Sequence, residues 1–141
     1  VPCDPILIRR CADRRNPLNH PAVILRRQAV LAVGSYRPRQ GFEDYDLWLR
    51  MLAGLGPSCL ANLPQALVRV RVGPAHLSRR HGLGYAKAEC AFFVGAASEG
   101  LISWRAALLA LVLRLPLRLL PSQLLRQVMA RFTRSGKGGH G

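Results

Sequence analysis

At 141 residues, half of them apolar, the chain suffices for one domain with its own core and is too apolar for intrinsic disorder. Lysine and arginine number 21 against seven Asp and Glu, a formal net charge of +14. That balance admits nucleic acid, anionic lipid or phosphorylated sugar donors as partners and selects none of them.

The basic residues stand in pairs, Arg9-Arg10, Arg14-Arg15, Arg26-Arg27 and Arg79-Arg80, with no dense block of the kind that makes a nucleic-acid arm. Cys3, Cys11, Cys59 and Cys90 form no Cys-x-x-Cys pair. A zinc knuckle or thioredoxin-like site is thereby excluded, and free thiols suit a reducing cytosol.

In chain order, residues 1–15 read as an apolar segment running into a basic helix or loop, and Asn16 to Pro21 as a turn-rich stretch. Ala22 to Leu25 is a strand candidate. Gln28 to Val33 reads as a short helix with Gly34 at its C-terminus. After a loop broken by Pro38 and Gly41, a helix is predicted over 43–53, closing at Gly54-Leu55-Gly56-Pro57. Leu47, Met51 and Leu55 recur every four residues on it with Trp48 and Leu52 beside them, an apolar stripe for a core.

Residues 59–63 and 66–72 read as strands; in the second, Leu67, Arg69 and Arg71 alternate with Val68, Val70 and Val72. Helices are predicted over 85–97 and 103–115, with Ser103 as N-cap and Pro116 ending or kinking the second. A third helix over 122–132 precedes a Gly-rich tail, 135–141, expected to be disordered. The apolar run 106–113 falls far short of the ~20 residues that span a bilayer. Arg114 and Arg118 share one helix face and Leu111, Leu115 and Leu119 lie along another. That pattern reads as a basic amphipathic helix on a membrane surface or as a hairpin packed on the domain.

Three of the seven carboxylates, Glu43, Asp44 and Asp46, fall within four residues and open the central helix. A general base acting on a hydroxyl is sought in such an island. The structural alternative makes Asp44 an N-cap and pairs Asp46 with Arg50 at i,i+4.

The order of motifs carries more than any one of them. Asn16-Pro17-Leu18-Asn19-His20-Pro21 leads through a strand-like stretch to Arg26-Arg27, then Gly34-Ser35-Tyr36, Glu43-Asp44 and Leu47-Trp48-Leu49-Arg50, then Leu67-Val68-Arg69-Val70-Arg71. This series resembles the C-terminal half of family 2 glycosyltransferases of the GT-A fold, closest to the bacterial exopolysaccharide and capsule group (amylovoran-type). The resemblance continues through Arg79–Glu89, Glu99–Ser103 and Arg118–Pro121, and so covers most of the chain.

It implies an α/β class: a partial GT-A, acceptor-side half over 1–75, a helical, basic amphipathic extension over 76–134, and the tail. Nothing before the Asn-His-Pro stretch looks like the family's nucleotide-binding half, so a fragment is expected, inactive alone. For the intact enzyme the resemblance implies a nucleotide-sugar donor, a saccharide or lipid-linked acceptor and an inverting transfer with Asp44 as base and Glu43 in support. It places Arg71, His76 and His20 as substrate or diphosphate contacts, and Arg114 and Arg118 at a membrane surface. A divalent metal, Mn or Mg, is expected to be ligated mainly by the absent half. Asp44-Tyr45-Asp46 spells Asp-x-Asp, but the family's metal motif follows an apolar strand well upstream, whereas these residues open a helix. The expected location is cytoplasmic, at the inner face of the plasma membrane. The competing reading is a non-catalytic basic module for anionic membrane or nucleic acid.

Overall fold

The computed structural model describes residues 2–69 and 82–119. Arg71, His76 and the helix expected over 122–132 lie outside them. The first helix, α1 (Pro5–Ala12), starts where Asp4 accepts the Leu7 N–H at 2.9 Å and Pro5 takes the first turn, which needs no N–H there. It buries Ile8 and Ala12, one turn apart, and leaves Arg9 and Arg10 in its last turn, where the dipole favours cations.

Helix α2 (Arg27–Ala32) ends as its glycine foretells. Gly34 takes φ +81°, its N–H donates to Leu31 O at 3.0 Å, and the Ser35 N–H donates back to Val30 O at 2.9 Å.

Helix α3 (Glu43–Leu55) is the centre of the molecule. Every residue from Tyr45 to Leu52 is buried, so the helix is enclosed rather than amphipathic. Leu55, expected on the core stripe, is exposed instead, because the last turn runs past the core along with Ala53 and Gly54. Helices α4 (Leu83–Ser98) and α5 (Trp104–Leu119) form an antiparallel hairpin that closes over α3. The turn repeats the α2 device: Gly100 has φ +72° and donates to Ala97 O at 3.1 Å, and the Leu101 N–H reaches Ala96 O at 2.9 Å. Ser103 caps α5 as expected, its Oγ accepting the Ala106 N–H at 3.1 Å.

Pro116 does not end α5. It removes one helical N–H, yet the final turn persists because Arg118 is held by an ion pair to Glu89 and the Gly82 N–H donates to the Arg118 carbonyl at 3.2 Å.

One apolar core joins both segments, running from Ile8 through Leu47, Trp48 and Met51 to Phe93 and Ala110. Its aromatic part stacks Phe42 on Phe92 at 4.7 Å between centroids and sets Tyr45 against both Phe92 and Phe93. The Tyr45 hydroxyl donates to Ala12 O at 2.6 Å and ties α3 to the end of α1. Tyr45→Phe strips that carbonyl of its partner inside the core and is expected to cost about 1–2 kcal/mol, read as a lowered urea midpoint. Burial also pushes the Tyr45 phenol above its ordinary value. Above about pH 10 the unfolded chain therefore sheds this proton first, so the stability the neutral phenol contributes is lost as pH rises. Tyr45→Phe is expected to flatten that alkaline slope.

The strands expected over 22–25, 59–63 and 66–72 do not form among the described residues, and the described part is helical. Residues 20–22 and 57–59 are 3-10 turns. The backbone is extended at Val23 (φ −110°, ψ 148°) and Leu60 (φ −119°, ψ 139°), but extended backbone becomes a strand only where a neighbour completes the ladder. No described segment does so. Ile24 is fully exposed, and Leu63, Leu67 and Val68 are exposed by half or more, so the predicted half-buried alternation fails on its described residues. The α/β class is not what the described residues show.

Candidate functional site

The three carboxylates of the acidic island have three different surroundings. Phe42 occupies the N-cap of α3 without a side-chain bond, so Asp44 is not the cap. Glu43 reaches back to accept the Gly41 N–H at 3.0 Å and closes the preceding turn. Asp46 is 1% exposed and lies between two guanidinium groups, Arg50 Nε at 2.7 Å and Arg39 Nε at 3.2 Å.

Asp44, like Glu43, is less enclosed than Asp46. Its Oδ1 accepts the Tyr45 N–H at 2.8 Å and its Oδ2 accepts the Asn16 amide at 2.7 Å, and the side chain is half-buried. Asn16 is itself aligned: its Oδ1 accepts the Leu18 N–H at 3.2 Å, which leaves Nδ2 to point its proton at Asp44. Both Asp44 oxygens keep lone pairs beyond these bonds, and neither donor is a cation. A carboxylate fixed in this way can accept a proton from a hydroxyl brought to it.

The loop that carries Asn16 continues along α3. His20 packs on Trp48, one turn beyond Asp44, with ring centroids 6.1 Å apart. Its Nε2 is 2.9 Å from the Tyr36 hydroxyl, and both side chains are exposed. Asn16, Asp44, His20 and Tyr36 thus follow one edge of the molecule.

Ion pairs, the one between Asp46 and Arg50 buried, hold that edge. Arg50, fixed by Asp46, donates to the carbonyls of Val33 and Ser35 at the end of α2, the latter at 2.6 Å. It anchors the turn at Ser35, whose φ of +59° is costly for a residue with a side chain, and so places the adjacent Tyr36. Arg39 bridges Asp46 to Glu99 in the α4–α5 turn, and Arg37 joins Glu99 at 2.9 Å. A Cβ at Gly95 would sit 3.1 Å from Arg39 Nη1, so a glycine there lets the guanidinium pass.

The other expected site residues separate. Arg114 and Arg118 both turn onto Glu89 of α4, which is fully buried: an Arg114 nitrogen lies at 2.6 Å and Arg118 Nε at 3.0 Å. They also lie over the rings of Phe93 and Tyr85, at 5.6 and 4.8 Å from the centroids. The hairpin uses them internally. Arg71 and His76 fall outside the described residues. Among those residues no three His, Cys, Asp or Glu side chains converge to hold a metal, and Asp46 is closed off by arginines, so the Asp-x-Asp letters do not fit a metal pair.

Asn16, Tyr36, Arg39 and Glu89 were not singled out from sequence. Asn16 and Tyr36 lay inside motifs already noticed; Glu89 was signalled by being the one carboxylate in an otherwise apolar helix interior.

No protein-family model matches the chain, and no solved structure matches it. Curated proteins do. The chain is 38% identical over 135 residues, 95% of its length, to an uncharacterized glycosyltransferase of Haemophilus influenzae, of which it covers 49%. It is 40% identical over 82 residues to the amylovoran biosynthesis glycosyltransferase AmsE of Erwinia amylovora, covering 58% of this chain and 30% of that protein. It is 32% identical over 130 residues to the UDP-Gal:alpha-D-GlcNAc-diphosphoundecaprenol beta-1,3-galactosyltransferase of Escherichia coli, covering 89% of this chain and 46% of that protein. The chain spans half or less of the length of each of these relatives. Its homologues are thus proteins named glycosyltransferases, one of them of amylovoran biosynthesis.

Proposed function

We propose that the chain is the acceptor-side half of an inverting glycosyltransferase of family 2 and GT-A fold, working in bacterial exopolysaccharide or capsule synthesis, with Asp44 as general base. The observation that carries this is the contrast within one helical turn. Asp46 is buried between two arginines, whereas Asp44 is half-buried and held only by neutral amide donors.

A hydroxyl of the acceptor approaches Asp44, which takes its proton as the oxygen attacks the anomeric carbon of the donor sugar. The bond from that carbon to the diphosphate breaks, and its electron pair leaves with the nucleoside diphosphate. One base suffices, unlike the two carboxylates of a hydrolase. Glu43 keeps the helix entry in place, and His20 offers a hydrogen-bonding edge to the acceptor. Arg71 and His76 are assigned to the departing diphosphate, whose negative charge needs compensation. A divalent metal, where used, is assigned to the nucleotide-binding half, as the family resemblance implies.

Two further features support the half-molecule reading. The homologues are about twice as long or longer. Ile24, Leu63, Leu67 and Val68 also stand exposed, apolar surface that another part of the protein would cover. The acceptor is a saccharide or a lipid-linked sugar at the cytoplasmic face of the membrane; among the described residues no helix is long and apolar enough to cross one. The 141-residue chain alone is expected to turn over no nucleotide sugar in a donor-release assay. Turnover by the isolated chain would overturn the division into donor and acceptor halves.

A further inference from the structure

A cleft of about 630 Å³ opens between the C-terminal end of α1 and the start of α5, lined by Arg10, Arg14, Arg15, Arg105, Asp13 and Leu109 among others. Its charge is one-sided. Asp13, its one carboxylate, is taken by Arg9. Arg15 lies on the Cys11 sulfur, with Nε at 3.1 Å, and among the described residues no carboxylate is in ion-pair range of Arg10, Arg14 or Arg105. Guanidinium groups left without counter-charge around a cavity this size form a receptor for an oxyanion with several oxygens, which arginine meets two bonds at a time.

The wall of this cleft continues into apolar surface. Arg105, Leu109, Leu113 and Leu117 succeed one another at four-residue spacing along α5, and the three leucines are exposed. Trp104, Leu108 and Val112 form an exposed row beside them. From Trp104 to Leu117 the face runs about 20 Å. Trp104 stands at the cleft end, where an indole suits the boundary between polar and apolar surroundings. A phosphate-bearing head with a long hydrocarbon chain fits this sequence of surfaces; a soluble polyanion leaves the apolar rows unused. Arg14 and Arg15 of the cleft directly precede in sequence Asn16, which holds Asp44.

We propose that this cleft binds the phosphate head of a lipid-linked saccharide acceptor, with the lipid chain along the exposed face of α5 and the sugar towards Asp44. This rests on the transferase reading and assigns its acceptor a seat. The arginines that serve the lipid are Arg10, Arg14 and Arg105, while Arg114 and Arg118 serve Glu89.

The test is flotation of the 141-residue chain with phosphatidylcholine vesicles that carry either polyprenyl diphosphate or phosphatidylglycerol at equal negative charge. Binding to the diphosphate lipid is expected to be tighter by on the order of tenfold, the scale of one added charged hydrogen bond. Arg10→Ala with Arg14→Ala and Arg105→Ala removes that preference. Arg26→Ala with Arg27→Ala and Arg69→Ala, which deletes the same charge from exposed sites elsewhere, keeps it. Equal binding to the two vesicles, or equal loss in the two triple variants, overturns the site and leaves only non-specific attraction to anionic surfaces. Selective binding by the chain, with no sugar transfer by the protein that carries both halves, would sink the transferase reading alone; transfer by that protein without selectivity in the chain would sink the cleft alone.

Discussion

Glu89→Ala is expected to destabilise the fold by about 3 kcal/mol or more, measured by chemical denaturation, because it leaves two guanidinium groups facing the core without the carboxylate that both require. Glu89 is completely buried on α4 and receives Arg114 and Arg118 from successive turns of α5. The arginines are partly exposed, with side chains at 25% and 18%, so they recover some hydration when the carboxylate is removed, which places the cost at the lower end of the usual range for a broken buried pair. The loss is still a large share of a small domain's ~5–15 kcal/mol. Replacing all three residues by leucine is expected to cost less than Glu89→Ala alone, since no uncompensated charge then remains. A Glu89→Ala variant as stable as the wild type would mean that the pairing contributes nothing to the hairpin.

This pair also shows where the sequence stops being readable. The spacing of Arg114 and Arg118 reveals a shared helix face but not what meets it, and a basic face reads equally as membrane-facing. Once the turn is known the answer follows: Glu89 stands twelve residues before Leu101 and Arg114 twelve after Ile102, so an antiparallel hairpin brings them opposite each other. Local devices were legible because their causes are local. Gly34 after an apolar run, Ser103 before one, and Asp46 four residues from Arg50 each act within a few residues, and each is found as expected. The strands were not, because a strand is a relation between segments. Alternation in 66–72 and apolar content in 22–25 describe chain ready to pair, and no described segment offers the partner. Pro116 misled for the opposite reason, since tertiary contacts at Arg118 and Gly82 hold a turn that local preference would end. Of the candidate site, the carboxylates were visible and the resemblance put Asp44 first, but the contacts that separate it from Asp46 were not. Asp44 differs from Asp46 by which side chains arrive from residues 16 and 39, information carried by the fold.

The central claim is that Asp44 takes the acceptor proton, and Asp44→Asn tests it most directly. The amide is nearly isosteric, and its oxygen still accepts one of the two N–H donors now on the carboxylate, so α3 and its core remain as they are. What it lacks is the capacity to accept a proton at neutral pH. Measured with saturating donor and acceptor in the protein that carries both halves, kcat is expected to fall by about 10²-fold or more, the contribution of a positioned general base. The thermal midpoint is expected to stay close to that of the wild type, and Glu43→Gln, which disturbs only the bond to Gly41, to retain most of the rate. A wild-type rate in a folded Asp44→Asn enzyme would contradict the account and reduce Asp44 to a structural partner of Asn16.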